Sequence, residues 1–322
     1  MIEMRRGLAT LAVAALAGLA SAASAADKVT VGVFPVSSSL PYFVAQDRGY
    51  FKAQDLDVAM VRLIGGPPNV AAMIGDQIDA SAVLVTIEGI NANLKKPGVA
   101  MYISLNTQNR ASQMEQFVVR KGYNATSIKD LKGAKIMSAP GPANLSMARA
   151  VLAANGLKEG DYTLDQLDMA QHVAAMQSGS FDAGYTLEPG ASIMRALGVA
   201  TTLEAGVVAT YILGDPNANA FVGGCALTSK FIADRPAVAK RFADAWAKAV
   251  NDVNGDPTVR KTLVDNKLVP ENVAATVPLL KVFMAKDLSA ADKAAYQKFI
   301  DFSTDNKILA EKVDVTKYLK AF

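Results

Sequence analysis

Residues 70–84, VAAMIGDQIDASAVL, and residues 173–187, VAAMQSGSFDAGYTL, are two versions of one design. At a constant offset of 103, Val70-Ala71-Ala72-Met73 matches Val173-Ala174-Ala175-Met176, Asp79-Ala80 matches Asp182-Ala183, and Leu84 matches Leu187, so seven of fifteen columns agree without a gap. Each copy reads as a short helix, a polar turn, an Asp-Ala step and a short strand. Apolar β-rich runs alternate with helical patterns around both copies, which predicts an α/β fold. The repeat predicts that the fold comes as two lobes of similar design. Size agrees, because single cores stop growing at about 250–300 residues. Ligands bind beyond the carboxyl ends of strands in open α/β sheets, so the loops after Leu84 and Leu187 are expected to face a shared cleft.

Outward from the first copy, Val29–Phe34 and Asp57–Ile64 read as strands, with a short helix over Tyr42–Phe51 interrupted at Gly49. A helix from about Asn69 leads to a strand over Ala80–Val85, and Val99–Leu105 is another strand after the Lys96-Pro97-Gly98 turn. Ahead of the second copy, the strand Ala134–Met137 precedes a helix over Met147–Ala154. Val238, Phe242, Ala245, Trp246, Ala249 and Val253 form one apolar stripe, with Asp234 as its expected N-cap. Val273, Val277, Leu280 and Met284 read as a second helical stripe, and Ser289 to Asp292 as a capping box before Tyr296, Phe299 and Ile300. Such stripes, Trp246 included, read as core.

The start of the chain sets the compartment. Arg5 and Arg6 precede an apolar run from Leu8 to Leu19, and small residues lead to Ala23-Ser24-Ala25. Charge, apolar run and A-x-A ending in that order read as a secretory signal peptide over residues 1–26. The run is shorter than the ~20 residues needed to span a bilayer. Beyond residue 26, 31 Lys and Arg face 29 Asp and Glu, and no basic cluster marks a nucleic-acid footprint. Cys225 is the only cysteine. The exported chain therefore has no intrachain disulfide, and Cys225 reads as a buried strand residue.

Catalytic chemistry is sparse. His172 is the only histidine, which leaves no His-Cys or His-Glu metal cluster and no second imidazole for a triad. It precedes the second repeat helix and reads as a solvated or helix-N-terminal residue rather than a catalytic base. Neither a P-loop nor a G-x-G-x-x-G motif is present. No cofactor or metal is expected. What remains are polar, Gly/Pro-rich loops after strands. Val36-Ser37-Ser38-Ser39-Leu40-Pro41-Tyr42 follows the first strand, and Ser138-Ala139-Pro140-Gly141-Pro142-Ala143-Asn144-Leu145-Ser146 repeats that design in the second lobe. Helix N-termini and hydroxyls there suit an anionic or hydrogen-bonding ligand group.

VTVGVFPVSSSLPYFVAQDRGYFKAQDLDV (29–58), with its helix from Phe43 to Phe51, resembles the opening of the nitrate/sulfonate/taurine-type (NMT1/THI5-like) periplasmic binding proteins. SIKDLKGAKIMSAPGPA (127–143) and AAMQSGSFDAGYTLEPGAS (174–192) resemble that family's Leu-Lys-Gly and Glu-Pro segments. The resemblance implies a two-lobed α/β periplasmic-binding-protein fold of type II, with two crossover strands near Ser104–Phe117 and Phe221–Leu227. Lobe 1 would hold residues 27–108 and 224–322, and lobe 2 residues 109–223. It implies a monomeric solute-binding component of an ABC importer that closes on a small organic ligand and delivers it to a permease and an ATPase. Ligand contacts carried over on this basis are Ser37, Ser38, Leu40, Tyr42 and Thr86 from lobe 1. From lobe 2 come Gly141, Asn144, Leu145, Ser146 and Glu188, while Tyr185 and Tyr211 suggest an aromatic body. Leu187 stands where the family usually has an aromatic residue, which weakens ring stacking at that wall.

Two ligand classes stay open. A sulfonate or carboxylate, toward which the reading leans, needs donors such as Arg110 or Arg149. A cleft glutamate instead suits amino or amidine-like donors, as on the pyrimidine precursor of thiamine. An enzyme or a sensor on the same architecture is the rival to transport.

Overall fold

The computed structural model describes residues 25–322, so the signal-peptide reading lies almost wholly outside the described residues. Among the described residues there are twelve strands in chain order: β1 (Asp27–Val33), β2 (Leu56–Arg62), β3 (Ala80–Val85), β4 (Met101–Tyr102), β5 (Ser104–Gln108), β6 (Glu115–Arg120), β7 (Lys135–Ser138), β8 (Thr163–Gln166), β9 (Ala183–Leu187), β10 (Ala200–Ala205), β11 (Ala220–Leu227) and β12 (Val282–Met284). They form two sheets. The first runs β12-β5-β11-β3-β1-β2, with β4 also on β11, and the second runs β10-β6-β9-β7-β8.

The offset repeat occupies the same topological place in each sheet. The helix Gly66–Ile74 feeds β3, which pairs parallel with β1 and antiparallel with β11. The helix His172–Ser178 feeds β9, which pairs parallel with β7 and antiparallel with β6. Right-handed crossovers place such helices on the sheet face and leave the carboxyl ends of the parallel strands free. The chain leaves the first sheet after β5 and returns to it through β11, all of which lies in the first sheet.

Side-chain alternation explains the core. Val29, Val31 and Val33 of β1 are buried between β2 and β3 and pack with Phe43, Phe51 and Trp246. The 20-residue helix Pro236–Gly255 lays its whole expected stripe into this cluster. Trp246 and Phe51 both stack on Phe242, with centroids 5.9 and 5.2 Å from it. The Trp246 indole N–H donates to Ser104 Oγ at 2.9 Å, so its one polar atom is paired inside the core. Cys225 is buried in β11, and burial pushes its thiol well up.

Three local expectations change. Val99–Leu105 divides into β4 and β5 at Ile103. Asp234 ends a separate helix, Ser229–Asp234, and the long helix starts with Pro236 in its first turn. Val273, Val277, Leu280 and Met284 are all buried but share no helix. Only Glu271–Ala274 is helical, and Met284 belongs to β12. Pro278 supplies the reason: it lacks the N–H that would continue a helix, so the chain extends and pairs with β5. The capping box at Ser289 forms as read, heading the helix Ala290–Asp305.

Candidate ligand-binding cleft

The carboxyl ends of β1, β3, β7 and β9 converge on one region between the sheets. The turn after β1 places Phe34, Val36 and Ser38 on its wall, and β3 adds Val83 and Val85. Asn106 and Gln108 come from β5, Met114 from the crossing segment, and Asn144 and Leu187 from the second sheet's side. These groups enclose a cavity of about 40 Å³ with an apolar majority. A neighbouring space of about 160 Å³ shares Phe34 and Val36 and carries Arg62, Lys267 and Asp168 at its rim.

Backbone bonds tie the two sides together. The Ser37 N–H donates to the Glu188 carbonyl at 3.0 Å, and the Glu188 N–H to the Met114 carbonyl at 2.9 Å. Ser37 Oγ reaches Met114 Sδ at 3.3 Å, and Asn106 Nδ2 donates to the Ser38 carbonyl at 3.1 Å. The Asn144 side chain caps back onto the Pro140 carbonyl at 2.7 Å. The Gly141 N–H donates to Gln166 Oε1 at 3.1 Å.

Of the residues expected to touch ligand, the structure brings Ser38 and Asn144 to the cavity wall and sets Ser37 and Gly141 beside it. Leu40 and Tyr42 point into the first sheet's core, where Tyr42 meets Phe43 and Phe51. Desolvation raises its phenol to about 12. Thr86 is fully buried and ties to the Phe221 and Val222 carbonyls at 3.0 and 3.2 Å. Tyr185 packs against Phe117 one layer below Leu187 on the same strand face. Leu145 and Ser146 are half-buried on the helix Pro142–Ala154, away from the cavity wall. Tyr211 donates to Glu204 Oε2 at 2.8 Å on another face of the second sheet.

Glu188 is fully buried, and its carboxylate has partners on every side. Oε1 accepts from Arg195 Nη2 at 3.0 Å and Gln116 Nε2 at 2.5 Å, and Oε2 from the Ser192 N–H at 3.2 Å. The side chain ties a loop to its sheet, while its backbone spans the cleft. His172 starts a helix as expected but is buried rather than solvated. Its Nε2 faces the Leu167 carbonyl at 3.1 Å, so that nitrogen carries the proton and Nδ1 accepts from Thr186 Oγ1 at 2.9 Å. Burial lowers its pKa and favours the neutral ring. Arg110 and Arg149 do not line the cavity; Arg149 pairs with Glu159 at 3.6 Å on the outer face.

A buried acid that sequence reading passes over is Glu88, which lies behind the cavity-wall residue Gly66. It lies in the first turn of the helix Thr86–Lys95, directly after β3. Sequence shows only an acid at a helix N-terminus, the ordinary place for one. In the fold it is 9 % exposed, and desolvation raises its pKa to about 7 against the lowering pull of the Ala143 N–H. Gly66 and Gly141 make room for it. A Cβ at position 66 would overlap Oε2, and one at 141 would sit 3.1 Å from Oε1.

The architecture has solved counterparts. The alkanesulfonate-binding protein SsuA of Xanthomonas axonopodis pv. citri, bound to MOPS, superposes with a TM-score of 0.72 at 21 % identity, covering 92 % of this chain and 98 % of that one. The periplasmic nitrate-binding protein NrtA of Synechocystis PCC 6803 gives 0.70 at 14 %, covering 90 % and 84 %. The desulfurization enzyme DszB shares the fold at 0.63 and 16 %, covering 92 % and 96 %. In sequence, a Bacillus subtilis (strain 168) protein named for aliphatic sulfonate binding is 24 % identical over 290 residues, 85 % of this chain and 81 % of its own. The two-sheet α/β architecture is that of the periplasmic binding proteins. With residues 37–259 matching its pattern from the serine loop through the long helix, the chain belongs to the NMT1/THI5-like family.

Proposed function

We propose that this protein is the solute-binding component of an ABC importer, exported through residues 1–26 to the periplasm, where it captures a small organic acid and hands it to a permease and an ATPase. The observation that carries this reading is the cavity between two repeated α/β units, at the carboxyl ends of their parallel strands, joined by two chain crossings. That geometry suits capture by closure of one lobe on the other. Lobe 1 comprises 27–108 and 220–322 and lobe 2 comprises 109–219, the expected boundary at 223/224 moving because β11 lies wholly in the first sheet. The protein works as a monomer and needs no cofactor. The sulfonate- and nitrate-binding relatives favour an acid as cargo.

No reaction is assigned to the cleft. The only imidazole is engaged with Thr186 and Leu167, and the only thiol is buried in β11. The likeness to DszB makes the test specific. Purified mature protein is screened by thermal shift against sulfonates, aromatic carboxylates and pyrimidines. A ligand at a hundred times its Kd stabilises by about 2.7 kcal/mol. Stabilisation by one chemical class with the ligand recovered intact supports the binder. Recovery of a converted product overturns it, and the absence of any shift removes the solute-binding reading.

A further inference from the structure

Given the lobe closure proposed above, on which this reading rests, we propose that Glu88 is a proton-operated latch between the lobes. Its carboxyl is wedged in the seam, holds the lobes together when protonated and loosens them when ionised. Glu88 belongs to lobe 1, in the first turn of the helix Thr86–Lys95. Oε2 lies against Gly66, which starts the helix Gly66–Ile74 in lobe 1. Oε1 faces Gly141, the residue before the helix Pro142–Ala154 in lobe 2. The two loops touch around the carboxyl. A Cβ at Gly65 would stand 3.7 Å from Pro140 Cγ, and one at Gly141 3.6 Å from Pro67 Cδ. Gly66 and Asn144 line the cavity, so the seam lies directly behind its wall.

The seam holds a neutral carboxyl better than a charged one. The donor that acts on Glu88 is the Ala143 N–H, from the lobe 2 helix. No lysine, arginine or second acid acts on it. The titratable side chain facing it is Tyr102, with Tyr296 beside Tyr102, and burial keeps both phenols neutral. An ionised Glu88 in the closed seam is therefore a buried charge without a counter-ion, which desolvation penalises. Parting the lobes carries Gly141 and Ala143 away and lets water solvate the charge. Closure thus takes up a proton at Glu88. The carboxyl pKa of about 7 in the closed arrangement, against an ordinary 4.5, has the same sign. The preference for closure is complete below 4.5 and is lost as pH rises through about 7. Cargo in the adjacent cavity is held at acid pH and released above neutrality, without touching Glu88.

Small-angle X-ray scattering of the ligand-free mature protein between about pH 5 and 8.5 tests the latch by itself. The wild type should expand as pH rises through about 7. Glu88→Gln, an uncharged isostere, should stay compact throughout. Glu115→Gln is the control, because Glu115 is also a buried acid with a raised pKa, held in β6 against the Val208 N–H. It should keep the wild-type response. Circular dichroism confirms that each variant folds. Calorimetry with butanesulfonate, whose charge is constant over this range, then couples the latch to cargo. Wild type should bind it roughly 10- to 100-fold more weakly at about pH 8 than at about pH 5, and Glu88→Gln should change by less than about threefold. A wild-type size that ignores pH, a response that survives Glu88→Gln, or one that vanishes with Glu115→Gln overturns the latch and leaves the solute-binding reading standing. The expected scattering response with no binding of butanesulfonate, benzenesulfonate or benzoate overturns solute binding and leaves the latch.

Discussion

Glu188→Gln separates a carboxylate that holds the fold from one that holds ligand. The wild-type group is fully buried and takes Arg195, Gln116 and the Ser192 N–H. Arg195 also donates to Gln116 Oε1 at 2.7 Å, Thr202 Oγ1 at 2.8 Å and Ser192 Oγ at 2.7 Å, so five groups share one network. An amide in place of the carboxylate turns one acceptor into a donor, which then faces either Arg195 or the Ser192 N–H. Losing a hydrogen bond to a charged group costs about 1.5–3 kcal/mol. Breaking a fully buried pair would cost about 3–5 kcal/mol, but the Arg195 side chain is 31 % exposed and water compensates part of it. The expected loss is about 2–3 kcal/mol. With an unfolding entropy near 2.1 cal/mol/K per residue, this lowers the melting temperature by about 3–5 °C. Thermal unfolding followed by circular dichroism reads that shift, and calorimetry with whichever acid the screen identifies should show unchanged affinity. An unchanged melting temperature together with a tenfold loss of affinity would refute the reasoning and return Glu188 to the ligand site.

Other consequences can be measured directly. Trp246→Phe strands the Ser104 hydroxyl, so equilibrium denaturation should show a loss of about 1–3 kcal/mol; no loss would mean that Ser104 finds another partner. Burial raises Glu115 to about 8 and Glu88 to about 7, from an ordinary 4.5. A carboxyl with a raised folded pKa contributes stability that is complete below pH 4.5 and is lost as pH rises through the folded value. The stability of Glu115→Gln relative to wild type should therefore increase between pH 5.5 and 8.5, and a pH-independent difference between their melting curves would refute the burial argument. Cys225 should resist an aromatic disulfide reagent in the native protein and react at once in denaturant, because burial suppresses its thiolate. Fast native labelling would mean that β11 opens.

The Glu188 and Glu88 results show where sequence stops being informative. Both are acids just beyond a repeat strand, in β9 and β3 respectively. Nothing local says that Glu188 meets an arginine seven residues on and a glutamine 72 residues back, or that Glu88 is enclosed against Gly66 and Gly141 from two distant loops. Tyr185 failed to reach the cleft for a related reason. It shares a strand face with Leu187, but two residues along a strand is the difference between cavity wall and core. The stripe from Val273 to Met284 had the right burial and the wrong element, because four apolar residues at such spacing fit a helix until Pro278 is weighed against them.

By itself, the sequence determined the fold class, the duplication at offset 103 and the place of each copy beside a polar loop. Those follow from periodicity and turn chemistry, which act within a few residues. Tertiary structure alone decided which acid is tied into a side-chain network and which is enclosed against two helix starts. Such pairing is settled by groups brought together from distant stretches of the chain, and no short window of sequence contains them.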